Sequence, residues 1–468
     1  MEEYKKNFID MLIKKGALKF GNDYKLKSGR LSPYFLNVRG VSDGEGITKL
    51  GEAYASAVLE SGQDFDVLFG PAYKGIPLVI TTSNALFGKG KNVGWAFDRK
   101  EVKDHGEATG ADLQGKVLVG SKITDGSRIV LLDDVITTGG AKYEAIELLS
   151  KMAKDLKYPA LVIAANRQEV GIDGTDAIKA LTDKTKIPVY PIITASEIIE
   201  RLKEIGGYDN DIARMQNYLR CYGTQDARKN VSLLNQKIIS ADRSVIPACD
   251  VATLEELDDI VGQTCDVEKI GGYKIGFELG YGHSLSKVVE TIRKHSDKPI
   301  IFDPQKAGTD IPETGKNFAR LCKNSGIDTV ILFPQAGPET ERAWIYHALN
   351  AGLNVIVGGR MTHPAYAVSE GGWITDEGAL EIYKIAARAG ITNFVAPGNK
   401  TEVIKQIKEA TETEGVTPTF YSPGFVKQGG KIEDAAKVAG ENFHGIVGTA
   451  IYTAKDKKQA AIELTKNL

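Results

Sequence analysis

The sequence predicts two α/β domains in series, the second with the element count of a closed (β/α)8 barrel. Three observations predict it. Apolar, strand-like runs alternate with helix-like runs along most of the 468 residues, as when strands are joined by crossover helices. The alternation breaks once, between about 205 and 242, where the chain turns polar and carries Gly206, Gly207 and Gly223. Beyond the break lie eight more apolar runs separated by helix-like segments.

The break is expected to hold a connecting helix but no core strand. It places the boundary near 215–230 and the domains at 1–215 and 230–468. The eight strand candidates are 245–251, 273–279, 299–303, 329–334, 354–359, 393–397, 419–424 and 445–452. Their number and spacing fit a (β/α)8 barrel, whose active-site groups sit at strand C-terminal ends. Polar residues gather at those ends: Asp250, Lys274, Asp303, Thr362 and Gln428.

Composition narrows the class. Hydrophobic content of 42% and charged content of 26% are those of soluble globular protein. A net charge of −2 provides no electrostatic footprint for nucleic acid or an anionic membrane. No run of about 18 apolar residues occurs, and "MEEYKKNFID" lacks the apolar core of a signal peptide. Cys221, Cys249, Cys265 and Cys322 have no metal-ligand spacing. They read as reduced, mostly buried thiols of a cytoplasmic protein.

The sharpest motif of the first half is "RIVLLDDVITTGGA" (128–141). A buried-type strand delivers Asp133 and Asp134, then Thr137, Thr138, Gly139 and Gly140 open a helix. Backbone N–H groups of a tight loop at a helix N-terminus make an anion site. Two carboxylates beside it suit ribose hydroxyls, or magnesium directly or through water. A strand end followed by a glycine turn is the bland alternative; paired acids, threonines and glycines together argue against it.

This motif resembles the phosphoribosyl-pyrophosphate loop of type I phosphoribosyltransferases. "LKSGRLSPYFLN" (26–37), "FGPAYKGIPL" (69–78), "DRKEVKDHGE" (98–107) and "ANRQE" (165–169) narrow the resemblance to orotate phosphoribosyltransferases, over roughly 1–205. That family more often has Asp where Asn166 stands. The resemblance implies a type I phosphoribosyltransferase fold, with phosphoribosyl pyrophosphate and orotate as substrates and magnesium as cofactor. It implies no metal site built from side chains alone, with magnesium arriving on pyrophosphate near Asp133 and Asp134. Lys27, Tyr73 and Lys74 join the substrate contacts, Phe35 faces the pyrimidine, and Arg167 holds the orotate carboxylate. Attack of the orotate nitrogen on the anomeric carbon expels pyrophosphate. Arg99, Lys100, Lys103 and His105 are expected to form a cationic lid over that leaving group. By resemblance the lid reaches a neighbouring subunit's site, implying a homodimer or higher homo-oligomer. One departure is a long stretch between His105 and Asp133, expected to extend a hairpin.

In the second half, "FDPQKAGTDIP" (302–312) places Asp303, Lys306 and Asp310 close together. Taken alone, it is equally a solvated turn. With "ACDV" (Asp250), "YKIG" (Lys274), "RMTHP" (Thr362) and "SPGFVKQGG" (Gln428), it resembles the orotidine 5′-monophosphate decarboxylases, over about 240–455. The resemblance implies a TIM barrel acting on orotidine 5′-monophosphate with no cofactor. Loss of carbon dioxide from C6 leaves an in-plane carbanion that the ring cannot delocalise, so fixed charge must stabilise it. Lys306 is then the cation and proton donor, and Asp303 sits near the departing carboxylate. Lys274 and Asp250 bind ribose hydroxyls, and Asp310 reaches a partner's site.

Two features depart from that family. Its usual spacing is Asp-x-Lys-x-x-Asp, whereas here one extra residue stands in each gap, which requires a bulge or an early strand exit at Pro304. The phosphate-gripping arginine after the last "VG" is replaced by Thr449, beside Gly448. Lys427 is the nearest candidate to replace it, with Arg360 and Lys400 farther along the rim. Together the two resemblances imply a bifunctional route to uridine 5′-monophosphate. The alternatives are a barrel acting on a related sugar phosphate, and a first half that only senses phosphoribosyl pyrophosphate. The latter would need a basic DNA-binding element, which the chain lacks.

Overall fold

The computed structural model describes residues 1–99, 111–136, 140–231, 234, 237–305, 309–466 and 468. It divides into two compact units, Met1–Leu219 with Gly223–Asn230 and Arg220–Tyr222 with Val231–Leu468. Between 205 and 242 the described residues form helices Asp209–Tyr222 and Gln225–Lys229 and no strand. Among the described residues no helix is long and apolar enough to cross a membrane. Cys221, Cys249 and Cys322 are buried free thiols, and Cys265 is half-buried.

The first unit is built on a six-stranded sheet: β1 (Val67–Phe69), β2 (Gly94–Asp98), β3 (Leu118–Gly120), β4 (Arg128–Asp133), β5 (Lys157–Asn166) and β6 (Val189–Thr194). Its spatial order is β6-β5-β4-β1-β2-β3, parallel except for β3, which runs antiparallel to β2. Of the stretch expected to extend a hairpin, helix Ala111–Val117 and β3 are described, and β3 pairs antiparallel with β2 from before it. Val67, Phe69, Ile129, Leu131, Leu161 and Ile163 belong to one buried core cluster beneath the sheet. The strand order reverses between β1 and β4. A crevice opens at the carboxyl ends there, because the connections leave to opposite sides.

The second unit is a closed parallel barrel: β7 (Arg243–Cys249), β8 (Tyr273–Ile275), β9 (Ile300–Phe302), β10 (Thr329–Leu332), β11 (Asn354–Gly358), β12 (Asn393–Val395), β13 (Thr419–Ser422) and β14 (Phe443–Val447). Ile246, Ala248, Ile301, Ile331, Ile356, Val395 and Ile446 pack in one buried cluster, joined by Ile238 and Ile239 from the segment before β7. Two strand expectations run too long. The stretch 273–279 leaves β8 at Ile275 and becomes helix Phe277–Gly282, and 445–452 leaves β14 at Val447 and becomes helix Thr449–Tyr452. Each strand stops before a glycine, Gly276 or Gly448, where the chain turns off the barrel rim.

Candidate active sites

The first candidate site lies at the sheet's switch point. The loop after β1 folds back so tightly that a Cβ on Gly70 would stand 2.6 Å from the Gly75 carbonyl oxygen, and one on Gly75 2.2 Å from the Gly70 carbonyl carbon. Only glycine at both ends allows that closure, which presents Tyr73 and Lys74 at the crevice. Opposite, β4 delivers Asp133 and Asp134. Lys74 Nζ lies 2.5 Å from Asp134 Oδ2, and Lys142 Nζ lies 2.5 Å from Asp133 Oδ2. Lys142 also donates to the Val135 carbonyl at 2.8 Å, and the Tyr54 hydroxyl donates to the Asp133 carbonyl at 2.7 Å.

The two carboxylates are electrostatically unequal. Burial, more than the Lys142 ammonium offsets, raises the Asp133 carboxyl above its ordinary value. Burial acts on Asp134 in the same direction, but Lys74 and the Val135 N–H outweigh it and hold that carboxyl below its ordinary value. Lys142 had no sequence signal: it sits in helix Gly140–Ser150, and its side chain meets the carboxylate that ends β4.

Gly140 opens that helix, whereas Thr137, Thr138 and Gly139 lie outside the described residues. So do Lys100, Lys103 and His105. Arg99 donates its main-chain N–H to the Val117 carbonyl, and its buried Nε has no partner among the described residues. Tyr73 is 69% exposed. Lys27 is exposed in the turn between the paired segments Tyr24–Lys25 and Leu31–Ser32. Phe35 stacks on Tyr24 with ring centres 5.6 Å apart. Arg167, just past β5, pairs with Glu169 at 3.1 Å, donates to Ser32 Oγ at 2.9 Å and lies 4.2 Å from the centre of the Tyr34 ring. Glu169 in turn accepts from the Tyr218 hydroxyl at 2.6 Å, so the guanidinium is held on several sides.

The second candidate site is a cavity of about 400 Å3 at the carboxyl end of the barrel. Register explains its charged floor. Ala248, Lys274 and Ile301 pair across β7, β8 and β9, so they share one tier. Asp250 and Asp303 lie two residues beyond Ala248 and Ile301, on the same face of the pleat. Lys274, 4% exposed, reaches between them, 3.2 Å from Asp250 Oδ1 and 3.4 Å from Asp303 Oδ2. Burial by itself would depress the Lys274 ammonium, but the Asp303 and Asp250 carboxylates more than offset it, and the group is held above its ordinary value.

The early strand exit takes place here. β9 ends at Phe302, Asp303 and Pro304 are outside the strand, and Gln305 has φ +52°. Gln305 lines the cavity, although sequence reading assigned it no role. Lys306 lies outside the described residues. Asp310 is exposed and does not line the cavity; its carbonyl accepts from Thr340 Oγ at 2.8 Å.

Thr362, Lys427, Gln428, Gly448 and Thr449 all line the cavity. A Cβ on Gly424 would stand 2.9 Å from Thr362 and 3.2 Å from Gln428, so these loops meet over a glycine. The other cations at the rim are engaged. Arg360 is buried against Asp376 at 2.6 Å, and Lys400 pairs with Glu370 at 2.6 Å. Lys427 is exposed and has no ion-pair partner among the described residues. Thr449 starts the four-residue helix, its hydroxyl 3.4 Å from that of Tyr452.

Comparison with known proteins matches residues 40–167 to the family model described as phosphoribosyl transferase domain, and 243–464 to the orotidine 5′-phosphate decarboxylase / HUMPS family. The orotate phosphoribosyltransferase of Thiobacillus denitrificans is 39% identical over 226 residues, covering 48% of this chain and all of that protein. That of Saccharophagus degradans is 41% identical over 226 residues with the same coverage. The crystal structure of orotidine 5′-monophosphate decarboxylase from Methanocaldococcus jannaschii, complexed with the inhibitor BMP, is 27% identical. It covers 48% of this chain and 98% of its own, with a TM-score of 0.43.

Proposed function

The chain belongs to the orotate phosphoribosyltransferase family over its first half and to the orotidine 5′-phosphate decarboxylase / HUMPS family over its second, and on that premise we propose how its residues perform two consecutive steps of uridine 5′-monophosphate synthesis. The observation that carries the reading is the fusion itself: the product of the first family is the substrate of the second. The charge-built cavity at the barrel mouth supports it. The functional domains are 1–215 and 230–468.

In the first step, the orotate ring nitrogen attacks the anomeric carbon of phosphoribosyl pyrophosphate and the bond to pyrophosphate breaks. Arg167, clamped by Glu169, Ser32 and Tyr34, orients the orotate carboxylate. The Asp133–Asp134 pair receives the ribose hydroxyls. Lys74 exchanges Asp134 for the departing phosphates, and Arg99, Lys100, Lys103 and His105 close over them. Among the described residues, no three His, Cys, Asp or Glu side chains gather to hold a metal, and each of the two carboxylates already faces a lysine. That donor set fits magnesium carried in by the pyrophosphate, which Asp133 and Asp134 would help to hold. Bound there, magnesium would neutralise charge on the leaving group.

In the second step, the C6–carboxylate bond breaks, carbon dioxide leaves, and the electron pair stays on C6 in the ring plane. Lys306 donates the proton that quenches it. Asp303 faces the substrate carboxylate, and that repulsion is relieved as carbon dioxide departs. Lys274 sits between the two aspartates and, with Asp250, binds the ribose. Gln428 and the backbone amides at Gly448 and Thr449 receive the phosphate. No cofactor takes part in this step. The lid and Asp310 act across a homodimer or larger homo-oligomer in the cytoplasm.

Incubation with orotate, phosphoribosyl pyrophosphate and magnesium tests both halves together. Loss of orotate absorbance with appearance of uridine 5′-monophosphate is expected. Unconsumed orotate would sink the first assignment, and accumulation of orotidine 5′-monophosphate would sink the second.

A further inference from the structure

We propose that Gln305, the residue following Asp303–Pro304 in the lengthened Asp303–Lys306 gap, is a positioning residue that holds Asp250 in its ribose-binding orientation. The inference rests on the reading of the barrel as a decarboxylase. Three contacts converge on this one residue. Its main-chain N–H donates to Asp303 Oδ1 at 2.9 Å, its side-chain Oε1 accepts from the Phe277 N–H at 3.0 Å, and its Nε2 donates to Asp250 Oδ1 at 3.4 Å.

The orientation of the amide follows from chemistry. A backbone N–H only donates, so the oxygen of Gln305 must face Phe277 and the nitrogen must face Asp250. Asp250 Oδ1 is thus shared by two donors, Gln305 Nε2 and Lys274 Nζ. Among the described residues its other oxygen is then left for a ligand. The approach has been made room for: a Cβ on Gly276 would stand 2.5 Å from Asp250 Oδ1 and 2.8 Å from Gln305 Oε1. Glycine at 276 is therefore a condition of this arrangement.

The left-handed φ of Gln305 re-aims the chain after β9, so the longer gap and the side-chain bridge are one device. A shorter gap would lack the residue that ties the ends of β7, β8 and β9 together. Gln305 acts through Asp250, so its effect is confined to the ribose end of the substrate.

The test compares wild type, Gln305→Ala and Gln305→Glu on orotidine 5′-monophosphate and on its 2′-deoxy and 3′-deoxy analogues. Gln305→Glu keeps an acceptor for Phe277 and much the same volume but loses the donor toward Asp250. Both variants are expected to lose on the order of 10–100-fold in kcat/KM on the natural substrate, as for a displaced contact group. On the analogue lacking the hydroxyl that Asp250 binds, variant and wild type should agree within about threefold, because the coupled contact is already gone. Equal losses on all three substrates would reduce Gln305 to a structural role and overturn the proposal, as would a Gln305→Ala enzyme indistinguishable from wild type. Absence of decarboxylation in wild type would instead sink the barrel's assignment.

Discussion

Replacing Lys142 by Met removes the cation that faces Asp133 at 2.5 Å while keeping the volume of a long side chain. Both partners are 6% exposed, so water cannot take the place of the ammonium. Breaking a buried pair by removing one member costs about 3–5 kcal/mol. The proton sets a ceiling on that loss. With an ordinary carboxyl value of 3.8, holding Asp133 protonated at pH 7.5 costs about 5 kcal/mol, and at pH 5.3 about 2 kcal/mol. The sign follows. Burial already raises Asp133 in the folded protein, and loss of Lys142 raises it further. The folded state then binds more protons than the unfolded state, and stability falls as pH climbs from 3.8 through the folded value. Hydrogen exchange of the β4 amides in the full chain reads this stability locally. The expected loss is about 3–5 kcal/mol at pH 7.5, shrinking to about 2 kcal/mol or less at pH 5.3. Phosphoribosyl transfer should fall with it, and decarboxylation of supplied orotidine 5′-monophosphate should not. A loss under about 1 kcal/mol at pH 7.5, or equal losses at both pH values, would refute the reasoning.

Lys306→Ala should abolish decarboxylation and leave phosphoribosyl transfer intact, so that orotidine 5′-monophosphate accumulates; near wild-type formation of uridine 5′-monophosphate would show that another group donates the proton. EDTA should stop the first reaction and spare the second when its substrate is supplied, and a decarboxylation restored by magnesium would favour a sugar-phosphate enzyme. Lys427→Ala should weaken orotidine 5′-monophosphate binding by about 1–3 kcal/mol, the scale of a lost charged hydrogen bond. An unchanged KM there would leave Gln428 and the backbone amides as the phosphate contacts.

What the sequence determined by itself is whatever is contiguous along the chain. The eight barrel strands were legible because parallel strands covered on both faces are apolar at nearly every position, as in Thr329–Leu332 and Asn354–Gly358. Asp133, Asp134 and Gly140 were legible because a strand end, paired threonines and glycines, and a helix start follow one another directly in the chain. Tertiary structure decided which of the many lysines and carboxylates face each other. Lys74 and Asp134 are 60 residues apart, and Arg167 and Ser32 are 135 apart. Arg360 and Lys400 look available in sequence, yet Asp376 and Glu370 neutralise them. The strand ends at Ile275 and Val447 also escaped the sequence, because apolar runs continue past both into helices. Gln305 had no pattern to carry it. Its partners come from the ends of three strands, and only closure of the barrel brings Asp250, Phe277 and Asp303 within reach of one amide. Local propensity follows neighbours in the chain, whereas Coulomb and hydrogen-bond energies depend on distances that the closed fold alone sets.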